Sequence, residues 1–406
     1  MRLAAARVFL LASALALATP ALASDDVPVS LDEALRAARL ASPDLAVARA
    51  REAVAHAEVA VAGVYPNPSV SAASSTEAAR ISGTVSVPLV VLGQRGAAMD
   101  AARADEATVL LDTRVSWNDA RRATQRAYAD LWEAEGVADA RREAASIESA
   151  LEASVVQRVE VGSAPQLDAL RVHAEKLRAD ADVLEATAQV TAAASELGRW
   201  MGVGNGSALR AKAVPVVPET VPPLDALRAR LETSALVRRE QSDLRAAEAR
   251  ADRERALVRP AMMLDLGFDA LDRTLNNATS YRAQLSVEVP ILQQRGAYID
   301  RERALGEVAR ARVRAALALG AAELTAAYRT FEAATARQRT LTEAVEPASR
   351  AAAKATEEAY GLGRAPLIAV LDAERVLVET RVSGLQAQAA RARAWAEVQH
   401  ALGGPE

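Results

Sequence analysis

The side chains able to perform catalysis or bind a metal are few and scattered in this sequence. Its histidines are His56, His173 and His400, and no two have the spacing of a His-x-x-x-His pair. Cysteine is absent and five methionines occur, so the sequence offers little to a zinc or copper site. No serine lies in a nucleophile elbow and no glycine-rich loop could cradle a phosphate. We therefore predict no catalytic residue, no metal site and no cofactor.

The composition narrows the class of protein further. Hydrophobic residues make up 51% of the chain but aromatic residues only 3%, and alanine-rich sequence of this kind suits long, closely packed helices. A net charge of -4 is too small to indicate nucleic-acid binding, and no basic cluster is interleaved with aromatics. We predict no nucleic-acid partner.

The first residues predict export. Arg2 and Arg7 precede an apolar run over 8–18, and Ala21-Leu22-Ala23 is a small-x-small cleavage site, so residues 1–23 have the pattern of a signal peptide. Without cysteine the exported chain cannot carry a thiol-linked lipid, so we expect it to be non-lipidated. No later stretch reaches about 18 unbroken apolar residues, so entry into a membrane would require the strands of a closed barrel.

The chain is internally repeated. Gln-Arg-Gly occurs at 94–96 and at 294–296, and a Gly-x-Ala-Pro turn occurs at 162–165 and at 363–366. A seven-residue apolar period typical of coiled coils follows each turn with an offset of 201, and its members are Leu170, Leu177, Leu184 and Thr191, then Leu371, Val378, Leu385 and Ala392. The sequence predicts one repeat over 24–213, a proline-rich connector over 214–223 and a second repeat over 224–406.

Each repeat has the same predicted order of helix, two strands, very long helix, turn and long helix. The predicted first helices cover 31–64 and 224–258, and each ends before a proline, which cannot continue a helix. The predicted long helices cover 95–159 and 295–360. About 65 helical residues extend roughly 100 Å, which no ordinary globular domain needs.

The clearest strand signal lies in the second repeat, over 264–270 and 281–289, where apolar and polar residues alternate. A weaker alternation covers 81–89. These lengths approach the roughly 9–11 residues of a tilted membrane strand. We predict a lipid-facing side that includes Leu264, Leu266, Phe268, Leu285 and Val287. The alternative is a soluble hairpin whose apolar face packs on helices.

Four strands cannot close a barrel, and an open sheet edge cannot face lipid. Three copies would supply about twelve strands, which is within the range of known barrels. The predicted fold is therefore mainly α with a small membrane β-barrel: duplicated α-β-β-α-α halves, with a trimeric twelve-stranded barrel continued by a long α-helical tunnel.

The sequence resembles the TolC-type outer-membrane efflux proteins over essentially its whole mature length. Three short motifs make it most similar to the CzcC branch, which is associated with heavy-metal export: Tyr65-Pro-Asn-Pro68, Gly93-Gln94-Arg95-Gly96 and Gln294-Arg295-Gly296. The resemblance implies a homotrimer that spans the outer membrane, extends into the periplasm, and works with a periplasmic adaptor protein and an inner-membrane pump as a conduit rather than an enzyme. Many members carry a lipidated cysteine after the signal peptide, and this chain has none.

The resemblance also implies roles for residues near the two turns. The turns would form the adaptor-docking tip, through Gly162, Ser163, Pro165, Gly361, Gly363 and Pro366. Asp372 matches an aspartate of the tunnel constriction, where three copies would form a carboxylate ring that selects for cations. The second aspartate of that constriction is replaced by Ala369. Asp168 matches a position that pairs with a basic residue, for which Arg364 is the candidate.

Two other classes of protein compete with this interpretation. A periplasmic or surface coiled-coil trimer without a pore would have the same heptads, but its strands should lack a lipid-facing side. The alternating strands argue against it. An enzyme is disfavoured because the catalytic constellations are missing.

Overall fold

The computed structural model describes residues 26–76, 80–204, 206–272 and 275–404. The predicted signal peptide lies outside these residues. Most of the described chain is helical, and the helices in chain order are α1 (Leu31–Ala41), α2 (Pro43–Ala62), α3 (Gln94–Glu160), α4 (Gln166–Met201), α5 (Leu224–Arg228), α6 (Ala235–Ala256), α7 (Gly296–Thr340), α8 (Glu346–Gly361) and α9 (Leu367–Ala401).

The first predicted long helix is confirmed. Helix α3 runs unbroken for 67 residues, which corresponds to about 100 Å. Its counterpart in the second repeat is interrupted, because a π-helical segment, Leu341–Val345, separates α7 from α8. Pro347 follows this segment in the first turn of α8. Its nitrogen carries no hydrogen and cannot donate to the carbonyl one turn earlier, which accounts for the local change of helical pitch.

The predicted first helix of each repeat is wrong in its continuity. The first divides at Ser42, because the residue before a proline avoids the helical conformation and Pro43 then begins α2. The second divides at the 3₁₀ turn Leu231–Thr233, and Ser234 caps the start of α6 by accepting a hydrogen bond from the Val237 backbone. Neither break could be read from apolar periodicity, which continues across both.

Four of the described strands form one antiparallel sheet that draws on both repeats. Its order is β2 (Ser69–Ser74), β3 (Ile81–Leu89), β5 (Ala261–Asp272) and β6 (Ala278–Glu288). The register places Val87 opposite Leu264 and Leu264 opposite Leu285. The predicted apolar side chains of adjacent strands therefore lie on one face of one sheet. The other face carries serine, threonine, glutamine and charged residues.

The apolar face is exposed in a single chain. Leu266, Phe268, Leu285 and Val287 are each more than 40% accessible. The Phe268 ring lies over Gly83 of the neighbouring strand, where an added Cβ would be 2.5 Å from the ring. Among the described residues, no helix makes an extensive contact with these four strands.

The long helices form an open series. Near the sheet, neighbouring helices contact one another in the order α2, α3, α6, α7. Toward the turns the order is α4, α3, α9, and then α7 and α8. In the sheet, β2 and β6 have one strand neighbour each. One edge of the molecule is thus made of the first repeat and the opposite edge of the second.

Two apolar clusters stabilise the middle of the molecule. One surrounds Tyr128 and Leu131 of α3 and Leu197 of α4. The other joins Leu227 and Leu324 to Val398 of α9. A short parallel pair, β1 (Val27–Val29) with β4 (Leu209–Ala211), closes the first cluster and was not predicted. Within the connector, Val217 and Val221 pack against the second cluster, so this segment lies on the bundle.

Candidate functional site

The two predicted tip turns have the same geometry. Gly162 and Gly363 adopt φ of 74° and 71°, the left-handed conformation that glycine adopts without strain. In the first turn the Ser163 backbone N–H donates to the Arg158 carbonyl at 2.8 Å, and in the second Arg364 donates to Ala359 at 2.8 Å. Each helix therefore ends in a Schellman motif. Pro165 and Pro366 then occupy the N-cap positions of α4 and α9, and Gly361 is the last residue of α8.

A small apolar core, the tip cluster, joins the two turns. Its buried members are Val155 and Val172 of the first hairpin and Leu367 and Leu371 of the second. Next to it the Arg158 guanidinium lies 4.9 Å from the centre of the Tyr360 ring, which is a cation–π distance. The tip cluster therefore holds the first and second hairpins together within one chain.

A charged link lies one turn of helix further along. Arg375 of α9 is 2.9 Å from the Glu175 carboxylate of α4. The same guanidinium is 3.9 Å from Asp372, the predicted constriction residue. The Asp372 side chain is 62% exposed, so a single chain leaves it free to face a neighbour or a channel.

Asp168 and Arg364 do not form an ion pair with each other within the described part of one chain. The Asp168 backbone N–H donates to the Pro165 carbonyl at 3.0 Å in the first turn of α4. Arg364 is exposed in the second turn. The contact between the hairpins is made by the tip cluster and by Arg375 instead, so the predicted pair would have to join different chains.

Several carboxylates surround the Arg375 guanidinium between α3, α4 and α9. Partial burial raises the pKa of Glu148 above its ordinary value of 4.5, and the negative charges of Glu175 and Glu374 raise it further, although Arg375 opposes the shift. One oxygen of Glu148 is inaccessible and has no hydrogen-bond partner. Partial burial, with a smaller contribution from Glu357, also raises the pKa of Glu374. The joint between the hairpins thus has carboxyl groups that take up protons readily.

The three histidines lie in different parts of the fold. His56 contacts Glu106 at 3.0 Å, His173 contacts Glu152 at 2.7 Å, and His400 lies near Asn118. Within the described ranges no group of three histidine, cysteine or acidic side chains could hold a metal ion.

The repeated Gln-Arg-Gly motifs have a structural role at the junction between strands and helices. The Arg95 Nε donates to the Gly63 carbonyl at 2.6 Å, and the guanidinium lies over the Tyr65 ring at 4.3 Å. Arg295 binds Glu254 at 2.5 Å. Each arginine ties a long helix to the helix that precedes the strands. The Gln-Arg-Gly motifs, on which the resemblance to the heavy-metal branch partly rests, therefore have a structural role at this position.

Sequence reasoning missed the residues that connect the hairpins. These residues belong to no sequence motif, because their partners lie on elements distant in sequence. They are Arg158, Tyr360, Glu175 and Arg375. The buried positions of the tip cluster could have been expected only for Leu371, which belongs to the predicted heptad.

Among the described residues, no helix combines the length and apolar character needed to cross a membrane.

Comparison with protein-family models finds no match, and comparison with curated proteins finds none either. Solved structures do match. CusC superposes with a TM-score of 0.75 at 16% identity, covering 94% of this chain and 94% of CusC. The outer membrane protein VceC from Vibrio cholerae gives 0.72 at 16%, covering 92% of this chain and 96% of VceC. The CmeC outer membrane channel of Campylobacter jejuni gives 0.76 at 15%, covering 92% and 85%.

These matches extend over nearly the whole chain, whereas the sequence identities are low. They establish that the chain has the fold of these outer-membrane proteins, in agreement with the helix and strand order described above.

Proposed function

We propose that this protein is the outer-membrane channel subunit of a tripartite efflux system and that three copies form one channel. The observation that carries the proposal is the open series of elements with one unpaired edge from each repeat. A ring of copies satisfies both edges, since β6 of one copy can pair with β2 of the next. The same closure brings α7 and α8 of one copy beside α2 and α4 of its neighbour.

Exposed apolar stripes on these edge helices support the ring. They repeat every seven residues on α2 and α4 and recur on α7, and their members are Val47, Val54 and Val61, then Leu170, Leu177 and Leu184, then Leu305 and Leu319. Such stripes are typical of helices that pack on a further helix. In the proposed ring each stripe is covered by the neighbouring copy.

The sheet supports a membrane location for the barrel. Three copies supply twelve strands, since one chain contributes four. Strands β5 and β6 are 12 and 11 residues long, and the apolar face of β6 includes Tyr281, Leu285 and Val287. These lengths meet the roughly 9–11 residues that a tilted membrane strand needs. The polar face then lines a water-filled interior.

The hairpins reach away from the barrel, into the periplasm in this proposal. Val161 and Leu362 are exposed in the two tip turns and offer an apolar surface to a periplasmic adaptor protein, which would connect the channel to an inner-membrane pump. Asp372 of three copies forms the carboxylate ring at the constriction, and Asp168 pairs with Arg364 across a subunit boundary. Export of heavy-metal cations is the finer proposal, and it rests on the sequence resemblance alone.

The proposal is tested by mass measurement of the detergent-purified protein and by conductance in a planar lipid bilayer. We expect a trimer that forms conducting pores. Leu285→Arg should prevent assembly in the outer membrane, because a charge on the lipid side at mid-bilayer costs about 2–4 kcal/mol. The adjacent Gln284→Arg lies on the polar face and should assemble. Protein that extracts without detergent and forms no pore, or equal behaviour of the two variants, would favour the coiled-coil trimer without a pore.

The constriction has its own test. We expect polyvalent cations added from the tip side to block the channel by binding the ring, and Asp372→Ala to weaken this block. Unchanged block and unchanged cation selectivity in Asp372→Ala would show that Asp372 is not part of the constriction.

Mass spectrometry of the exported protein tests the remaining part of the proposal, a mature chain that begins near Ser24 without a lipid.

A further inference from the structure

An aspartate is held at the centre of the polar face of the sheet. Asp265 of β5 lies opposite Ser86 of β3 and opposite Gln284 of β6. The Ser86 hydroxyl donates to Oδ1 of Asp265, and the Ser286 hydroxyl donates to Oδ2 at 3.4 Å. Hydroxyl groups from both flanking strands therefore fix the carboxylate in position.

The charge of Asp265 is not cancelled on this face. Asp269 is neutralised by Arg282, whose guanidinium is 3.3 Å away. Asp265 forms no ion pair with any residue that the structure describes. Glu288 adds a further negative charge, but it is the last residue of β6, where the strand approaches the helices. Among the described residues in the regular rows of the sheet, Asp265 is thus the carboxylate without a cationic partner.

We propose that three copies of Asp265 form a ring of fixed negative charge inside the barrel and make it selective for cationic cargo. This inference rests on the proposed trimeric channel. It is separate from the carboxylates of the constriction, because Asp372 lies in α9 beside the tip turns, at the other end of the long helices.

The size of a twelve-stranded barrel makes such a ring effective. With strands about 4.8 Å apart and tilted by about 40°, the perimeter is roughly 75 Å and the radius roughly 12 Å. An inward-pointing aspartate brings its carboxylate to about 9 Å from the axis. This distance is comparable to the Debye length of about 10 Å at 0.1 M salt and far below the value of about 30 Å at 0.01 M.

The expected selectivity follows from the screened potential of three charges in water. A monovalent cation on the axis is enriched about 2.5-fold at 0.1 M salt and about sixfold at 0.01 M, and a divalent cation about sevenfold at 0.1 M. Anions are depleted by the corresponding factors. The preferred cargo class is therefore cationic, with divalent and larger polycations favoured over monovalent ones.

The test is the reversal potential of single channels under a potassium chloride gradient. Asp372→Asn serves as the background, so that the constriction ring does not set the selectivity. We expect Asp265→Asn to lower the ratio of cation to anion permeability severalfold, with a larger change at 0.01 M than at 0.1 M salt, and Asp265→Glu to keep it. Asp265→Ser replaces Asp265→Asn where that variant does not assemble.

The matched control is the double variant Asp269→Asn/Arg282→Gln. It removes two charged groups from the same face but leaves the net charge unchanged, so its permeability ratio should equal that of the background channel. A channel that conducts but keeps its cation preference in both Asp265→Asn and Asp265→Ser overturns the inference. A control that changes the ratio as much as Asp265→Asn also overturns it. Unaltered protein that forms no trimer and no pore contradicts the proposed function itself.

Discussion

The apolar heptads of the two repeats match in sequence but have different partners in the structure. Leu170 of α4 and Leu371 of α9 occupy equivalent positions, 201 residues apart, in the two repeats. Leu371 is 4% exposed, whereas Leu170 is 61% exposed. Helix α9 lies between α3 and the pair α7 and α8, while α4 lies at the end of the series. The second-repeat stripe therefore packs within the chain, whereas the first-repeat stripe stays exposed in a single chain.

The first long helix of each hairpin also differs between the two repeats. Helix α3 of the first hairpin has no break, but its counterpart changes pitch at Leu341–Val345 before Pro347. A π-helical turn loses the regular hydrogen-bond ladder and often accompanies function. The duplicated chain thus contains one hairpin whose first long helix is continuous and one whose first long helix changes pitch, and the second of these carries Asp372.

The largest expected effect comes from placing the proline of the second hairpin in the first. Ser146 of α3 is the position 201 residues before Pro347. Ser146→Pro should lower the free energy of local opening around 146 by about 3 kcal/mol or more, because proline removes a hydrogen bond and clashes with the preceding turn. Hydrogen exchange of the α3 amides measures this change.

The reciprocal variant, which removes the proline from the second hairpin, is the control for the local stability of the long helices. Pro347→Ala restores the missing backbone donor and should slow hydrogen exchange around Leu341–Val345 by converting the π turn into α-helix. If Ser146→Pro has no local effect, or if Pro347→Ala speeds exchange, the two hairpins do not differ as described.

The second prediction separates the two heptad stripes. Leu371→Ala should destabilise the tip by about 2–3 kcal/mol, since a buried leucine is replaced by a cavity that the tip can partly close. Leu170→Ala should leave the stability of a single chain nearly unchanged but weaken the trimer, because this side chain is exposed until a neighbour covers it. Hydrogen exchange at the tip and the mass of the oligomer at decreasing concentration distinguish the two effects. Equal losses in both assays for both variants would show that the stripes share one partner.

The third prediction concerns pH at the joint between the hairpins. Burial and the charges of Glu175 and Glu374 raise the pKa of Glu148 above 4.5, so the closed joint binds protons that the separated hairpins release. Its stability is fully present below pH 4.5 and is lost as the pH rises through the raised pKa. Because the chain has no cysteine, two introduced cysteines can carry spin labels that measure the distance between Ser163 and Ala365. We expect this distance to increase with pH.

Glu148→Gln mimics the protonated carboxyl and should keep the joint closed across the same pH range. Glu160→Gln, at the exposed end of the same helix, is the matched control and should retain the pH dependence of the unaltered protein. A distance that changes with pH equally in Glu148→Gln and in Glu160→Gln would exclude Glu148 as the responsible group.

The smallest expected effect concerns the stacking contact beside the tip cluster. Arg158→Gln removes the cation from the Tyr360 ring and should cost about 0.5–1 kcal/mol, which is the range of an exposed cation–π contact. Arg158→Lys should retain part of it. Hydrogen exchange at the second turn measures the difference, and an unchanged rate in Arg158→Gln would mean that the apolar cluster alone joins the hairpins.

Features that depend on local pattern were predicted correctly. The extent of α3, the Gly-x-Ala-Pro turns of both repeats and the alternation of β5 and β6 follow from periodicity and from the conformational preferences of glycine and proline. The continuity of the first helices was predicted wrongly, because a single proline at position 43 and a cap at Ser234 act within an apolar period that continues past them. The pairing of β3 with β5 joins strands that lie about 180 residues apart, a separation over which local propensity carries no information.

The sequence by itself determined the duplicated order of elements, the length of the long helical stretches and which side of each strand is apolar. These properties depend on interactions within one turn of helix or between neighbouring strand residues. The tertiary structure alone decided which of two equivalent leucines is buried, that Arg375 meets Glu175, and that Asp269 pairs with Arg282 while Asp265 forms no ion pair with a described residue. The physical reason is that burial and charge pairing depend on the elements that lie alongside, and two repeats with the same pattern occupy different places in the series of helices.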